Sequence, residues 1–517
     1  MKLNFSLRAR HRTIGAEDIV SAWMPDVRWE LYQSVLNAAL ATNASLTPSS
    51  FLAGDHLQRI RSLVRENDPS FVLGLALYLR MQLHRKELAF MLMAELAATN
   101  GGGELAALHI GKVLQTPAEL PEWLDWYAIA AEKNPRKNNG RAVRPRRALQ
   151  RSLTELLRLL DEYQFTRYDR GLQLKMRSTL LLLRPKAKDG AQRDLFNNIL
   201  KDKLGTRPNW QMELTALREQ RYDSLELKQA TLRDKWKEGI SSFRIGYAAL
   251  LYNLRPILAA GVSGKILKLA GEYIGNAAAI GRNRQLPFRL LEAYRELKTL
   301  PRGGTTFLLE ALEQAAFHSA GNIAGFTEET RVLIAMDVSN SMKTPAGEDG
   351  VLERYDIGPL LALALKKKCR SVITGIFGNG WKQVQLPGKN ILAGVEEFRF
   401  REGEAGYATN AHLVIEDLLK SGQVVDKLMI FTDCCLWDRR QFHQSPGADI
   451  GRLWRQYRQR TPGARLYLLD LSGYGTTPLQ VLQEEVFLVS GWNEGIFDIL
   501  AAAEQAVDAL RLPGQAT

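Results

Sequence analysis

The sequence predicts a multidomain chain: an α-helical solenoid followed by a doubly wound α/β domain. Three observations predict it. The chain has 517 residues, enough for two to four domains at roughly 100–200 residues each. Residues 1–325 carry apolar side chains every three or four positions, the period of helices with one buried stripe. Beyond Gly325 the pattern changes to short continuous apolar runs alternating with helical stretches, as a parallel sheet covered by helices requires. The expected domains are therefore 1–325 and 326–517.

In the first part the clearest helical windows are residues 70–81, 86–98, 149–162, 172–183, 245–259, 284–300 and 305–316. Short breakers separate them: Asn100 to Gly103, Asn138 to Gly140, Asp189-Gly190, Gly261 to Gly264, and Pro301 to Gly304. Stacked helix pairs of this kind form α-solenoids. No strict period recurs, so the repeats are degenerate.

In the second part, residues 331–336, 371–377, 427–431, 465–470 and 486–490 are short, mostly apolar runs and read as strands buried on both faces. Helical stretches at 360–368, 411–421, 450–460 and 495–506 alternate with them. In such sheets ligands sit beyond the C-terminal ends of the strands.

Composition excludes several classes. With 45% hydrophobic and 24% charged residues the chain is ordinary for a globular protein. No run of 18 apolar residues occurs, so a membrane-spanning helix is not expected. The first residues show no apolar core of a secretory leader, and the three cysteines (Cys369, Cys434, Cys435) are too few for a disulfide scaffold; both point to the cytoplasm. The net charge of +13 is uneven. Residues 1–328 hold 48 Lys and Arg against 33 Asp and Glu, and residues 329–517 hold 21 against 23. A basic domain favours a polyanion, because phosphate contacts release condensed counterions. No basic amphipathic anchor or lipidation signal points to a membrane.

Three segments of the second part carry oxygen ligands at expected strand ends. Asp337-Val-Ser339-Asn-Ser341 follows the first strand, Thr409 lies in a glycine-containing loop, and Asp433 closes another strand. An all-oxygen set with few charges suits Mg²⁺ or a similar hard divalent cation that keeps waters. The competing reading is that Ser339 and Ser341 only cap the next helix. The segments, in this order, resemble a von Willebrand factor A domain with its metal-ion-dependent adhesion site. The resemblance implies direct ligation by the two serines, with Thr409, Asp337 and Asp433 binding directly or through water.

A second run is basic. From Lys133 to Arg151 there are eight cationic residues (Lys133, Arg136, Lys137, Arg141, Arg144, Arg146, Arg147, Arg151) and no acidic one. Arg144, Arg147 and Arg151 share a helix face if the helix has begun by Arg144. Arg167, Arg170, Lys175, Arg184 and Lys186 follow. Arginine binds phosphate bidentately and stacks on bases. Tyr163, Phe165 and Tyr168 are nearby rings for unpaired bases, or else core residues.

Further windows carry a resemblance over nearly the whole chain. They are Phe243 to Arg255, Arg284 to Tyr294, the Gly140 to Leu149 stretch, and Phe431-Thr-Asp-Cys-Cys-Leu-Trp-Asp438. Together with the A domain they resemble the Ro autoantigen family, the TROVE-domain proteins, in its bacterial form. The resemblance implies a closed ring of HEAT-like repeats joined by the A domain and monomeric as a ring. It implies binding of Y-like RNA on the outer surface, and of single-stranded 3′ ends of structured or misfolded noncoding RNA in a basic hole. It also implies work in RNA quality control, maturation or decay with an exoribonuclease such as polynucleotide phosphorylase. The chain departs from the family at Leu182, where histidine is common in the Y RNA surface, and at Tyr252, where arginine is usual.

The expected function is noncoding-RNA binding without catalysis. The alternative is a metal-dependent protein-interaction adaptor acting through the A domain alone. A Mg²⁺-dependent nuclease lacks the carboxylate pairs that phosphoryl transfer needs. No P-loop, nucleophile elbow or zinc-spaced histidine pair occurs. The adjacent Cys434 and Cys435 read as structural thiols in preference to a redox switch.

Overall fold

A computed structural model describes residues 27–41, 55–131, 144–207, 210–300, 305–346, 351–386, 389–433, 450–472, 479–481, 486–492 and 494–511. Two compact units form, one within residues 1–209 together with 502–517 and one within 210–501. Strands begin after residue 325, but the packing boundary lies at 209/210. The helices from 210 onward pack in the same unit as the sheet.

The first unit is helical. Its centre is the helix Lys86–Ala98, in which every residue from Leu88 to Ala97 is buried. Helices Pro69–Met81, Gly103–Val113 and Leu120–Ala130 pack around it. Its one buried carboxylate, Glu95, accepts from Arg61 Nε at 2.6 Å, as a charge taken out of water must. Pro69 opens its helix because the first turn needs no donor there, and Asp68 caps it by accepting from Ser70 N at 2.9 Å. The expected helix over 149–162 is two helices, Arg147–Leu157 and Glu162–Thr166. Asp161 ends the first pattern by capping the second, accepting from Gln164 N at 2.6 Å. The Gln192 amide donates to the freed Arg158 carbonyl at 2.9 Å.

In the second unit the window 245–259 also divides, into Tyr247–Tyr252 and Leu254–Ala259. Pro256 has no N–H to give to the Tyr252 carbonyl, so the ladder breaks at Asn253. The sheet has seven strands: β1 Arg331–Asp337, β2 Ser371–Phe377, β3 Trp381–Gln383, β4 Lys427–Thr432, β5 Arg465–Asp470, β6 Leu479–Val481 and β7 Val486–Ser490. Their order is β3-β2-β1-β4-β5-β7-β6. The five inner strands are parallel, and β3 and β6 pair antiparallel at the two edges. Alternation sends Leu333, Ala335, Leu428, Ile430, Leu466 and Leu468 to one face, beneath helices His412–Ser421 and Ile450–Arg460. Met336 and Phe431 face the helix Arg354–Lys368, where a Cβ on Gly358 would stand 2.7 Å from Met336 Cγ. The sheet is thus covered on both faces, as its apolar strands demand.

Candidate metal centre and basic surface

From β1 the chain passes to β2 on one side of it, and later to β4 on the other. This reversal opens a crevice beyond the C-terminal ends of β1 and β4. Asp337 ends β1, Thr432 ends β4, and Asp433 follows. Thr432 Oγ1 donates to Asp337 Oδ2 at 2.7 Å, and Ser339 N donates to Asp337 Oδ1 at 2.9 Å. The Ser339 and Ser341 hydroxyl oxygens stand 3.1 Å apart at the start of a 3₁₀ turn, Asn340–Lys343. The structure thus joins Asp337, Ser339 and Ser341 and sets Asp433 beside them. Gly403 N donates to Val338 O at 2.9 Å, which ties the Thr409 loop to the end of β1. The half-buried Thr409 makes no side-chain hydrogen bond among the described residues.

The electrostatics fit a cation. Burial pushes the Asp337 carboxyl above its usual range, the hydrogen bonds from Ser339 and Thr432 oppose this, and the charge of Asp433 adds to it. A hard divalent ion would relieve both the desolvation and the like-charge contact. Among the described residues no three of His, Cys, Asp and Glu gather as a metal cluster. Any ion here would therefore rest on hydroxyls and two carboxylates, with room for water or an outside oxygen.

Two neighbours were not legible as site residues. One is Thr432, which fixes the Asp337 carboxylate. The other is Arg354, whose Nη1 lies 3.9 Å from Asp433 Oδ2. Arg354 begins the helix Arg354–Lys368, whose N-terminus carries a capping box of Glu353 and Asp356. The Glu353/Asp356 spacing was the available signal. Asp356 is fully buried and accepts from Arg295 Nη1 and Nη2 at 2.6 and 2.7 Å, Arg399 Nη1 at 3.0 Å and Glu353 N at 2.8 Å. Trp492 meets Phe288 edge-on with ring centres 4.8 Å apart.

The basic residues divide into four groups. Lys133, Arg136, Lys137 and Arg141 lie outside the described residues, as do Cys434, Cys435 and Trp437. Arg146, Arg170 and Lys175 are exposed but engaged. Arg146 donates to Thr99 O and Asn100 Oδ1, Arg170 forms a two-pronged pair with Asp202, and Lys175 reaches Asp125 at 3.4 Å. Arg144, Arg147, Arg151, Arg184 and Lys186 are exposed and make no ion pair among the described residues. Arg167 pairs with a tyrosine. The helix starts at Arg147, so only Arg147 and Arg151 share its face. Pro145 disfavours helical backbone at Arg144, which therefore precedes the helix.

Of the three nearby rings, Phe165 is buried, Tyr168 is half-buried with its edge against Phe165, and Tyr163 is exposed. The charge surplus follows the packing boundary. Residues 1–209 with 502–517 hold 33 Lys and Arg against 23 Asp and Glu, and residues 210–501 hold 36 against 33.

The sequence matches no family model, and no curated protein matches it. Among solved structures, the crystal structure of the Deinococcus radiodurans Ro (RSR) protein is similar to this chain with a TM-score of 0.65. The similarity covers 92% of this chain and 100% of that one at 16% sequence identity, and it is a likeness of fold.

Proposed function

We propose that this chain is a Ro-like protein that binds noncoding RNA as a ribonucleoprotein component and is not an enzyme. One observation carries the reading. Five exposed cations (Arg144, Arg147, Arg151, Arg184 and Lys186) lack an ion-pair partner among the described residues, in the unit that holds the charge surplus. Uncompensated positive charge repels itself, and a phosphate backbone is a ligand that relieves it. The fold shared with the Deinococcus Ro protein supports the same reading.

RNA is then selected by shape, through an unpaired 3′ end beside a duplex, in preference to base sequence. The proposed partners are a Y-like RNA and the single-stranded ends of misfolded RNAs, with an exoribonuclease such as polynucleotide phosphorylase. The proposed location is the cytoplasm. Leu182 removes a histidine common in the family's Y RNA surface, so the single-stranded ligand is favoured.

In the second unit, Asp337, Ser339, Ser341, Thr409 and Asp433 are proposed to hold Mg²⁺. The ion would offer an open position to a carboxylate oxygen of a partner protein. Asp337 keeps its carboxylate oriented through Ser339 and Thr432, and the loop that carries Thr409 is tied to the end of β1 at Gly403, which supports this reading. This assembly also favours the second reading, an adaptor that works through the metal centre without RNA.

The test is binding of the full chain to a single strand, a blunt duplex and a duplex with a 3′ tail across salt. The RNA reading expects preference for the tail. Replacing both Arg144 and Arg147 by Gln should flatten the slope of log K against log salt by about 1.4, at roughly 0.7 per lost phosphate contact on single strands. No binding at low salt would leave the adaptor.

A further inference from the structure

Tyr163 is the one exposed Phe, Tyr or Trp ring among the described residues of the first unit, at 57% exposure. Every other described Phe, Tyr and Trp side chain there is buried or half-buried. The ring already has a companion. Arg167 Nη1 donates to the Tyr163 hydroxyl at 2.7 Å, and the guanidinium carbon lies 5.2 Å from the ring centre.

The turn beneath the pair is held firmly. Asp161 caps it through Gln164 N. Phe165 and Thr166 are buried, and Gln173 Nε2 donates to Phe165 O at 3.2 Å. Arg207 N donates to Thr166 O at 2.5 Å. A ring on an ordered turn, with its hydroxyl tethered, loses little freedom when something settles on it.

We propose that Tyr163 and Arg167 form a stacking seat for one unpaired nucleobase. This rests on the RNA reading above and deepens it, because it supplies a reason for the preference for single strands. The guanidinium occupies part of the ring surface, and the remaining face takes the base. Arg167 uses one of its five N–H donors on the tyrosine, so the others can meet the flanking phosphate. A base inside a duplex is stacked on both sides and has no face to offer. The seat therefore discriminates by strandedness, whereas the free arginines attract any phosphate chain.

The two contributions separate in salt. Stacking releases no counterions, so losing it lowers affinity at every salt concentration and leaves the slope unchanged. The experiment compares wild type, Tyr163→Ala and Tyr163→Phe for binding a labelled poly-uridine strand and a blunt RNA duplex across salt. Tyr163→Ala should weaken the single strand by about fivefold to a hundredfold with the same slope, and leave the duplex unchanged. Tyr163→Phe keeps the ring and should stay within about twofold of wild type. Because the side chain is exposed, thermal melts of both variants should match wild type.

Three results would overturn the seat: unchanged single-strand binding in Tyr163→Ala, equal loss with both ligands, or Tyr163→Phe as weak as Tyr163→Ala. A wild-type chain that binds neither RNA would remove the RNA reading itself, and the seat with it.

Discussion

Replacing Asp356 by Asn tests the most heavily used buried charge in the described second unit. The change keeps the shape of the side chain and removes its charge. Asp356 receives three hydrogen bonds from two guanidiniums and one from the backbone N–H of Glu353. Burial alone would lower the pKa of Arg295, but the hydrogen bonds and charge of Asp356, helped by Glu396, outweigh burial and raise it. A guanidinium is not deprotonated in a protein, so Arg295 stays charged when its partner is lost.

Breaking a buried ion pair by removing one partner costs about 3–5 kcal/mol. Here Arg295 keeps Glu396 at 2.8 Å and Val351 O at 3.2 Å, and Arg399 keeps Glu353 at 2.7 Å. That residual pairing places the loss at the lower end, about 3 kcal/mol. For a unit of nearly 300 residues, with an unfolding entropy of about 0.6 kcal/mol/K, the midpoint should fall by about 5 °C. Thermal melting followed by circular dichroism, with urea unfolding as a second probe, reads the change. The double replacement Arg295→Met with Asp356→Leu should recover part of the loss, because no unpaired charge remains from that contact. A drop below about 2 °C for Asp356→Asn would refute the assignment of a strong buried pair.

Three more outcomes are expected. Mg²⁺ should raise the melting temperature of the wild type but not of Asp337→Ala, and a scan with and without the ion checks it. Gly378→Ala should disturb the Thr409 loop, because its Cβ would stand 2.3 Å from Gly406 O and 2.6 Å from Ala405 O. The expected cost is about 1–3 kcal/mol, with weaker Mg²⁺ binding by calorimetry. The hydrogen bond from Arg331 holds the Asp426 carboxyl below its usual range. Its folded pKa is thus lower than its unfolded one, so its stabilisation is present above the unfolded value and is lost as pH falls through the folded one. Asp426→Asn should flatten the urea midpoint between about pH 5 and about pH 3.

Much of the second unit was legible because its strands are buried on both faces. Largely apolar runs such as 371–377 and 465–470 point to strands, and β2 and β5 occupy those positions. The three-residue strands β3 and β6 escaped because alternation needs more residues to show itself. The helix expected from 360 begins at Arg354, because Pro359 masks its first turns.

At the candidate metal centre, the Asp337-Val-Ser339-Asn-Ser341 spacing carried the reading. Thr432 was missed because its role depends on which strand lies beside β1, and strand order is not local information. The division of the arginines was equally hidden. Arg170 and Arg184 look alike in sequence, yet one is held by an aspartate 32 positions away and the other makes no ion pair among the described residues.

The two edge strands have a consequence for assembly. A long open edge offers a row of unsatisfied amides and carbonyls to any extended peptide, and so templates chain-to-chain growth. Here each edge is closed by a strand of three residues running against its neighbour. At β3 the indole of Trp381 lies so near Gly375 that a Cβ there would stand 2.1 Å from it. The hairpin is clasped to the strand behind it. Strand addition, a common way to capture a peptide, is thus discouraged at both sides of this sheet. A protein that engages the unit is directed toward the loops beyond the strand ends or the outer helices.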